Sequence, residues 1–160
     1  MRLPGRDGQM NGKARLAAGA LAIALPLVGY FEGRSLVAYL DPVGIPTICD
    51  GITQGVALGQ SKTDAECDAL LAAELGRAVA TVDRLIRQAQ PDSRRAALAS
   101  FVYNVGGGAF ERSTLLRKLN KGDIAGACAE LSRWVYAGGR VLPGLVKRRA
   151  AERKLCEAGL

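Results

Sequence analysis

The sequence predicts an α+β fold, mostly helical and two-lobed, with a small β-sheet lobe and a helical lobe joined by a long helix. Three observations carry this. Residues 34–60 are rich in Gly, Pro and β-branched residues and lack helical periodicity, which suits short strands and turns. Beyond them, apolar residues recur at helical spacing. Glycines and prolines then divide the rest into short helical pieces.

The chain opens on residues 1–15, where Arg2, Arg6, Lys13 and Arg15 stand against Asp7 alone. Leu16 to Phe31 follows without a charge. These sixteen residues would span about 24 Å as a helix, against a hydrocarbon core of about 30 Å. Five are Ala, two are Gly and Pro26 interrupts them, so the span is short and weakly hydrophobic. It reads as a cleaved signal peptide, as the buried first helix of a soluble domain, or as a membrane segment that can leave again. Small-residue cleavage sites, Ala18-Gly-Ala20 and Ala22-Ile-Ala24, lie inside the apolar run rather than after it, which weakens the first reading. If the segment enters a bilayer, the positive-inside rule keeps residues 1–15 cytoplasmic. The expected division is therefore 1–31, an N-terminal stub with its signal-anchor segment, and 32–160, the folded domain.

Within that domain, residues 34–60 should form one wall of a cleft. Thr63-Asp-Ala-Glu66 has the spacing of a capping box. Leu70, Leu71, Val79, Val82, Leu85 and Ile86 then mark the long helix, which should end before Pro91. An apolar helix near 92–105 should stop at Gly106-Gly-Gly108. Short helices are expected near 113–120, 123–136 and 144–156, punctuated by Gly122, Gly138-Gly139 and Pro143-Gly144. Trp134 is expected to pack in the helical lobe. Lys147, Arg148 and Arg149 read as solvated charge on the last helix.

Composition bounds the function. A charged fraction of 23% is near that of globular proteins, so the chain is not disordered. A net charge of +7 favours a polyanionic partner. No zinc-finger spacing, RNA-binding motif or glycine-rich phosphate loop supports nucleic acid as that partner. The chain has no His, which excludes an imidazole base or a His metal ligand. Cys49, Cys67, Cys128 and Cys156 show no Cys-x-x-Cys spacing, so zinc is not expected, nor is any other metal or cofactor. An even cysteine count suits an oxidising compartment. Three pairings are possible. Cys49–Cys67 with Cys128–Cys156, one staple per lobe, is favoured over the others and over four free thiols.

Glu32 follows the apolar run directly. Asp41 comes after eight intervening residues and Thr47 after five more. Glycoside hydrolysis needs an acid for the leaving oxygen and a second carboxylate for water or charge. Val28, Gly29, Tyr30 and Phe31 offer Glu32 an apolar setting, which would keep it protonated, while Asp41 before Pro42 and Gly44 lies in a turn and would stay ionised. Thr47 can orient a water. The competing reading is that a Glu at a helix end and an Asp before Pro are ordinary structural residues.

The surrounding blocks decide between them. Glu32-Gly-Arg-Ser-Leu-Val-Ala-Tyr-Leu-Asp41-Pro-Val-Gly-Ile-Pro-Thr47 is similar to the catalytic pattern of the phage lysozymes (endolysins) of glycoside hydrolase family 24. The resemblance continues through Thr47-Ile-Cys-Asp-Gly51-Ile-Thr53, Phe101-Val-Tyr-Asn104-Val-Gly106, Ser113-Thr-Leu-Leu-Arg-Lys-Leu-Asn120, Arg133-Trp134-Val-Tyr-Ala-Gly-Gly139 and Leu142-Pro-Gly-Leu-Val-Lys-Arg148-Arg149, covering roughly residues 28–157. It implies a lysozyme-like fold and a muramidase that cuts the β-1,4 bond between N-acetylmuramic acid and N-acetylglucosamine for host cell lysis. Glu32 would be the general acid, with Asp41 and Thr47 holding the attacking water in a single displacement. Tyr103 and Asn104 are weaker candidates for sugar contact. Ile52 stands where family members often carry His, which would shift or weaken activity if that His tunes the acid. A subset of the family begins with a signal-arrest-release segment, and residues 16–31 fit it. The implied partners are a glycan strand of peptidoglycan and, before release, the bacterial inner membrane. The enzyme would be a monomer with a cytoplasmic N-terminus and a periplasmic catalytic domain, later released to the periplasm. Two alternatives stay open: a lytic transglycosylase, and a non-catalytic membrane-anchored cell-wall-binding protein.

Overall fold

The structure, a computed structural model, describes residues 12–160. The stub expected to be cytoplasmic therefore lies largely outside the described residues. Helix α1, Gly12–Glu32, is built from Ala and Leu, which favour helix, and it tolerates Pro26 at an exposed position. Ala20, Ala24 and Val28 recur every fourth residue and are fully buried, a narrow stripe on one helix face. The small side chains let α1 lie close to its neighbours. At Gly19 any Cβ would collide with the Asp92 carboxylate. The helix runs through the expected boundary between residues 31 and 32 without a break. Among the described residues no helix is long and apolar enough to cross a membrane.

Strands β1, Ser35–Leu40, and β2, Pro46–Cys49, form an antiparallel hairpin in which Tyr39 faces Thr47 and Leu40 faces Pro46. An isolated bridge between Val37 and Ser61 widens this sheet lobe. Its own small core holds Ala38, Ile48, Cys49, Ile52 and Cys67. Helix α2, Asp64–Leu85, then crosses to the other lobe. Both halves of its capping box are made: Thr63 Oγ1 accepts from the Glu66 amide, and Glu66 accepts from the Thr63 amide at 2.7 Å. It ends where Ile86 turns extended, ahead of Pro91 as expected.

Helix α3, Asp92–Val105, is the centre of the helical lobe, with every residue from Arg94 to Val102 buried. Gly106, at φ +90°, ends it. The glycines do not stop the chain there, because Gly107–Glu111 forms a short helix, α4. Gly106 alone takes the left-handed turn, and Gly107 and Gly108 return to helix. Helix α5, Thr114–Asn120, agrees with expectation. The expected helix at 123–136 is shorter: α6 is Ile124–Glu130, followed by a 3₁₀ turn at Leu131–Arg133. Tyr136–Ala137 and Arg140–Val141 instead pair as strands β3 and β4. Gly138 and Gly139 both take positive φ, the two-residue hairpin geometry that the Gly-Gly pair permits. Helix α7, Pro143–Glu157, closes the fold. Trp134 packs edge-on against Phe101 at 5.1 Å beside the main core, as expected. The structure joins Cys49 to Cys67, tying β2 to α2, and Cys128 to Cys156, tying α6 to α7.

Candidate active site

Glu32 is the last residue of α1, so the buried stripe of that helix fixes its position. Gly33, at φ +62°, turns the chain out of the helix. Arg34 then anchors the exit, donating to the buried Asp50 carboxylate from Nη2 at 2.8 Å and to Asp64 at 3.1 Å. These carboxylates, Asp50 foremost, hold the Arg34 guanidinium well above its ordinary range. The Glu32 side chain is 19% exposed, and its Oε1 accepts from Arg148 Nη1 at 2.5 Å. The apolar surroundings expected for Glu32 are thus replaced by a buried guanidinium, itself 5.9 Å from the Phe31 ring. On its other side, a Cβ at Gly51 would lie 3.2 Å from Glu32 Oε2, and Gly51 holds φ +85°. Both space and backbone favour glycine there.

Asp41 lies in the turn of the hairpin, as its neighbours predict. Its Oδ1 accepts from the amides of Val43 at 2.9 Å and Ile45 at 2.8 Å. The Asp41 amide and the Thr47 hydroxyl both donate to the carbonyl of Ile45, each at 3.0 Å. One carbonyl therefore ties Asp41 and Thr47 together. Thr47 is buried on β2, and β2 leads through Cys49 and Asp50 to Gly51 beside Glu32. Among the described residues Cys49 is the non-glycine residue with positive φ, 57°, a conformation that costs about 1–3 kcal/mol unless its surroundings enforce it. Its disulfide to Cys67 supplies that restraint two residues beyond Thr47.

The lobes meet across this site. Tyr103 of α3 donates its hydroxyl to the Asp50 carbonyl at 2.6 Å. Burial, with the Glu32 charge as a further cause, pushes the Tyr103 phenol well above its ordinary range. Tyr103 and Ile52 line a cavity of ≈ 380 Å³ with Thr53, Gln54, Glu74 and Arg77. Ile52 is 8% exposed and belongs to the sheet-lobe core, so its apolar side chain packs within that lobe. Asn104 accepts from Arg149 through its side-chain oxygen and lines a separate cavity with Trp134 and Tyr136.

The expectation that Arg148 and Arg149 are solvated does not hold; only Lys147 is exposed. Arg148 and Arg149 are 4% and 1% exposed, and the fully buried Glu152 bonds to both. Ser100 donates to Glu152 at 2.6 Å. Arg148 also donates to the Ser100 carbonyl at 3.1 Å, and Arg149 to the Trp134 carbonyl at 3.0 Å. Sequence reasoning missed this group. Its one trace is the spacing of Glu152 three and four residues after the arginines, a pattern shared with ordinary surface pairs.

Among the described residues no group of His, Cys, Asp and Glu side chains is arranged to hold a metal ion. The family model "Phage lysozyme" matches residues 29–152. The SAR-endolysin of Enterobacteria phage PA-2 is 45% identical over 150 residues, covering 89% of this chain and 91% of that protein. The muramidase domain of SpmX from Asticaccaulis excentricus superimposes with a TM-score of 0.78 at 32% identity, covering 84% of this chain and 94% of that one. The active form of P1 phage endolysin Lyz gives 0.76 at 25% identity, covering 93% and 95%. With its family model matched across both lobes, from the last turn of α1 to Glu152 on α7, the chain belongs to the phage lysozyme family and is a glycoside hydrolase.

Proposed function

We propose that this enzyme is a muramidase that hydrolyses the β-1,4 bond between N-acetylmuramic acid and N-acetylglucosamine. Glu32 protonates the leaving oxygen, and Asp41 and Thr47 hold the attacking water. The observation that carries this is the shared Ile45 carbonyl, which accepts from the backbone amide of Asp41 and from the hydroxyl of Thr47 at the start of the strand leading to Glu32. A water held between Asp41 and Thr47 would have an acceptor and a hydroxyl available, while Glu32 approaches from the end of α1. General acid catalysis contributes typically about 10²–10⁴-fold. Mass spectrometry of peptidoglycan digested by wild type and by Glu32→Gln tests it. Reducing muramic ends that vanish in the variant are expected. Anhydro ends would make the enzyme a lytic transglycosylase, and intact glycan with wild type would leave only cell-wall binding.

The same reading places the domain in the periplasm, first tethered through residues 16–31 and then released. Its support is the likeness to SAR-endolysins and the stripe of small residues through which α1 docks on α2 and α3. While the segment sits in a bilayer, those residues are withdrawn from the core and Glu32 is not held beside Arg148. Activation is then a shift of population between two locations of one helix. Ala18 and Ala22 are exposed in the folded enzyme, so replacing both by Leu raises hydrophobicity without disturbing the docked face. Such a variant should remain membrane-bound and fail to lyse cells; normal release and lysis would sink the idea.

A further inference from the structure

Behind the proposed acid lies a fully buried carboxylate. Glu152 is 0% exposed, and its two oxygens take different guanidinium groups. Oε1 accepts from Arg148 Nε at 3.2 Å and from Ser100 Oγ at 2.6 Å, and Oε2 accepts from Arg149. Arg148 reaches forward to Glu32, and Arg149 to Asn104. Stability gives no reason for such a group, since buried ion networks replaced by well-packed hydrocarbon are often as stable or more so. Geometry gives one. The guanidinium is a rigid planar fork. Pinning Nε on Glu152 and Nη2 on Ser100 leaves Nη1 a single direction, toward Glu32.

We propose that Glu152 is a positioning residue for glycoside cleavage: it orients Arg148 against Glu32 and offsets one of the two positive charges behind the acid. This rests on Glu32 being the acid. The other groups around Glu32 are accounted for. Arg148 and Arg149 face it from α7, and Tyr103 from α3. Asp50, in the turn after β2, is engaged by Arg34, and Glu74 on α2 by Arg77. Without the Glu152 charge, two guanidinium groups act on Glu32 uncompensated. Positive charge favours the ionised carboxylate. Loss of the Glu152 charge therefore moves the alkaline limb of activity down.

The test is the pH dependence of kcat/KM on soluble glycan fragments for wild type, Glu152→Gln and Glu32→Gln, with folding checked by circular dichroism. The expected result for Glu152→Gln is an alkaline limb lowered by about one pH unit, the lower end of what an unbalanced neighbouring charge does. A profile that superimposes on wild type after scaling, as a merely structural role would give, overturns the inference. If Glu152→Gln does not fold, Glu152→Asp keeps the charge but draws it back from Arg148. It should lower kcat at constant KM and move the limb less in the same direction; an unchanged kcat and limb would overturn the inference equally. Full activity of Glu32→Gln would overturn the acid assignment and this inference together. An inactive Glu32→Gln beside an unshifted Glu152→Gln would overturn this inference alone.

Discussion

The two carboxylates of the site are held in opposite ways. Asp41 finds its partners two and four residues along the chain, at Val43 and Ile45. Glu32 finds its partner 116 residues away, at Arg148. The first arrangement needs only a turn. The second needs α1, α3 and α7 packed together, with Glu152 and Ser100 already in place. A hairpin can therefore form its half of the candidate site from local contacts, whereas Glu32 is placed only when the helical lobe is complete.

The largest expected break in that contrast is Arg148→Met. It leaves Glu152 buried with one guanidinium lost, and breaking a buried pair costs about 3–5 kcal/mol. Urea unfolding measures it; a cost under about 1 kcal/mol would mean that the buried charges are solvated or relaxed. Next is the Cys128→Ser/Cys156→Ser double variant, which removes a cross-link over 28 residues and should cost about 3 kcal/mol. The Cys49→Ser/Cys67→Ser pair spans 18 residues and should cost a similar amount. It should also lower the activity of the folded fraction, because Cys49 holds a left-handed backbone beside Thr47. Equal specific activity in the two double variants would separate the disulfide from the site.

Smaller effects sharpen the local side. Asp41→Ala removes the acceptor for two amides and should cost about 1 kcal/mol, while Asp41→Asn retains an acceptor oxygen and should unfold like wild type. Activity falls in both, so an active Asp41→Asn would show that the charge is not needed. The smallest effect is a pH dependence. A hydrogen bond from Lys118 holds the Glu130 carboxyl below the usual carboxylate range. Its stabilisation is full above the unfolded value near pH 4.3 and is lost as pH falls through the lower folded value. Glu130→Gln should flatten that part of the acid limb in a melting-temperature series, and an unchanged slope would assign it to other carboxylates.

Much of the fold was legible because its signals are local. Thr63 and Glu66 form the capping box their spacing promised, and Leu71, Val79 and Val82 bury one face of α2 as their period requires. The sheet lobe followed from Gly, Pro and β-branched content. The β3–β4 hairpin was missed, although Gly138-Gly139 carried the signal, because a two-residue strand is too short to show alternation. Gly106 stops α3 as expected, but Gly107 and Gly108 continue into a helix, since glycine permits helix as well as turn.

By itself the sequence determined what is held by hydrogen bonds between near neighbours: the helix starts, the turn around Asp41, and the spacing that brings Thr47 to the Ile45 carbonyl. Only the tertiary structure decided the environment of Glu32. Whether a charged side chain is solvated or buried depends on the counter-charges packed around it, and here these come from α1, α3 and α7. Arg148 and Arg149 look like surface residues in the sequence because their burial is made possible by Glu152, Ser100 and Glu32 together, and no one of these signals it alone.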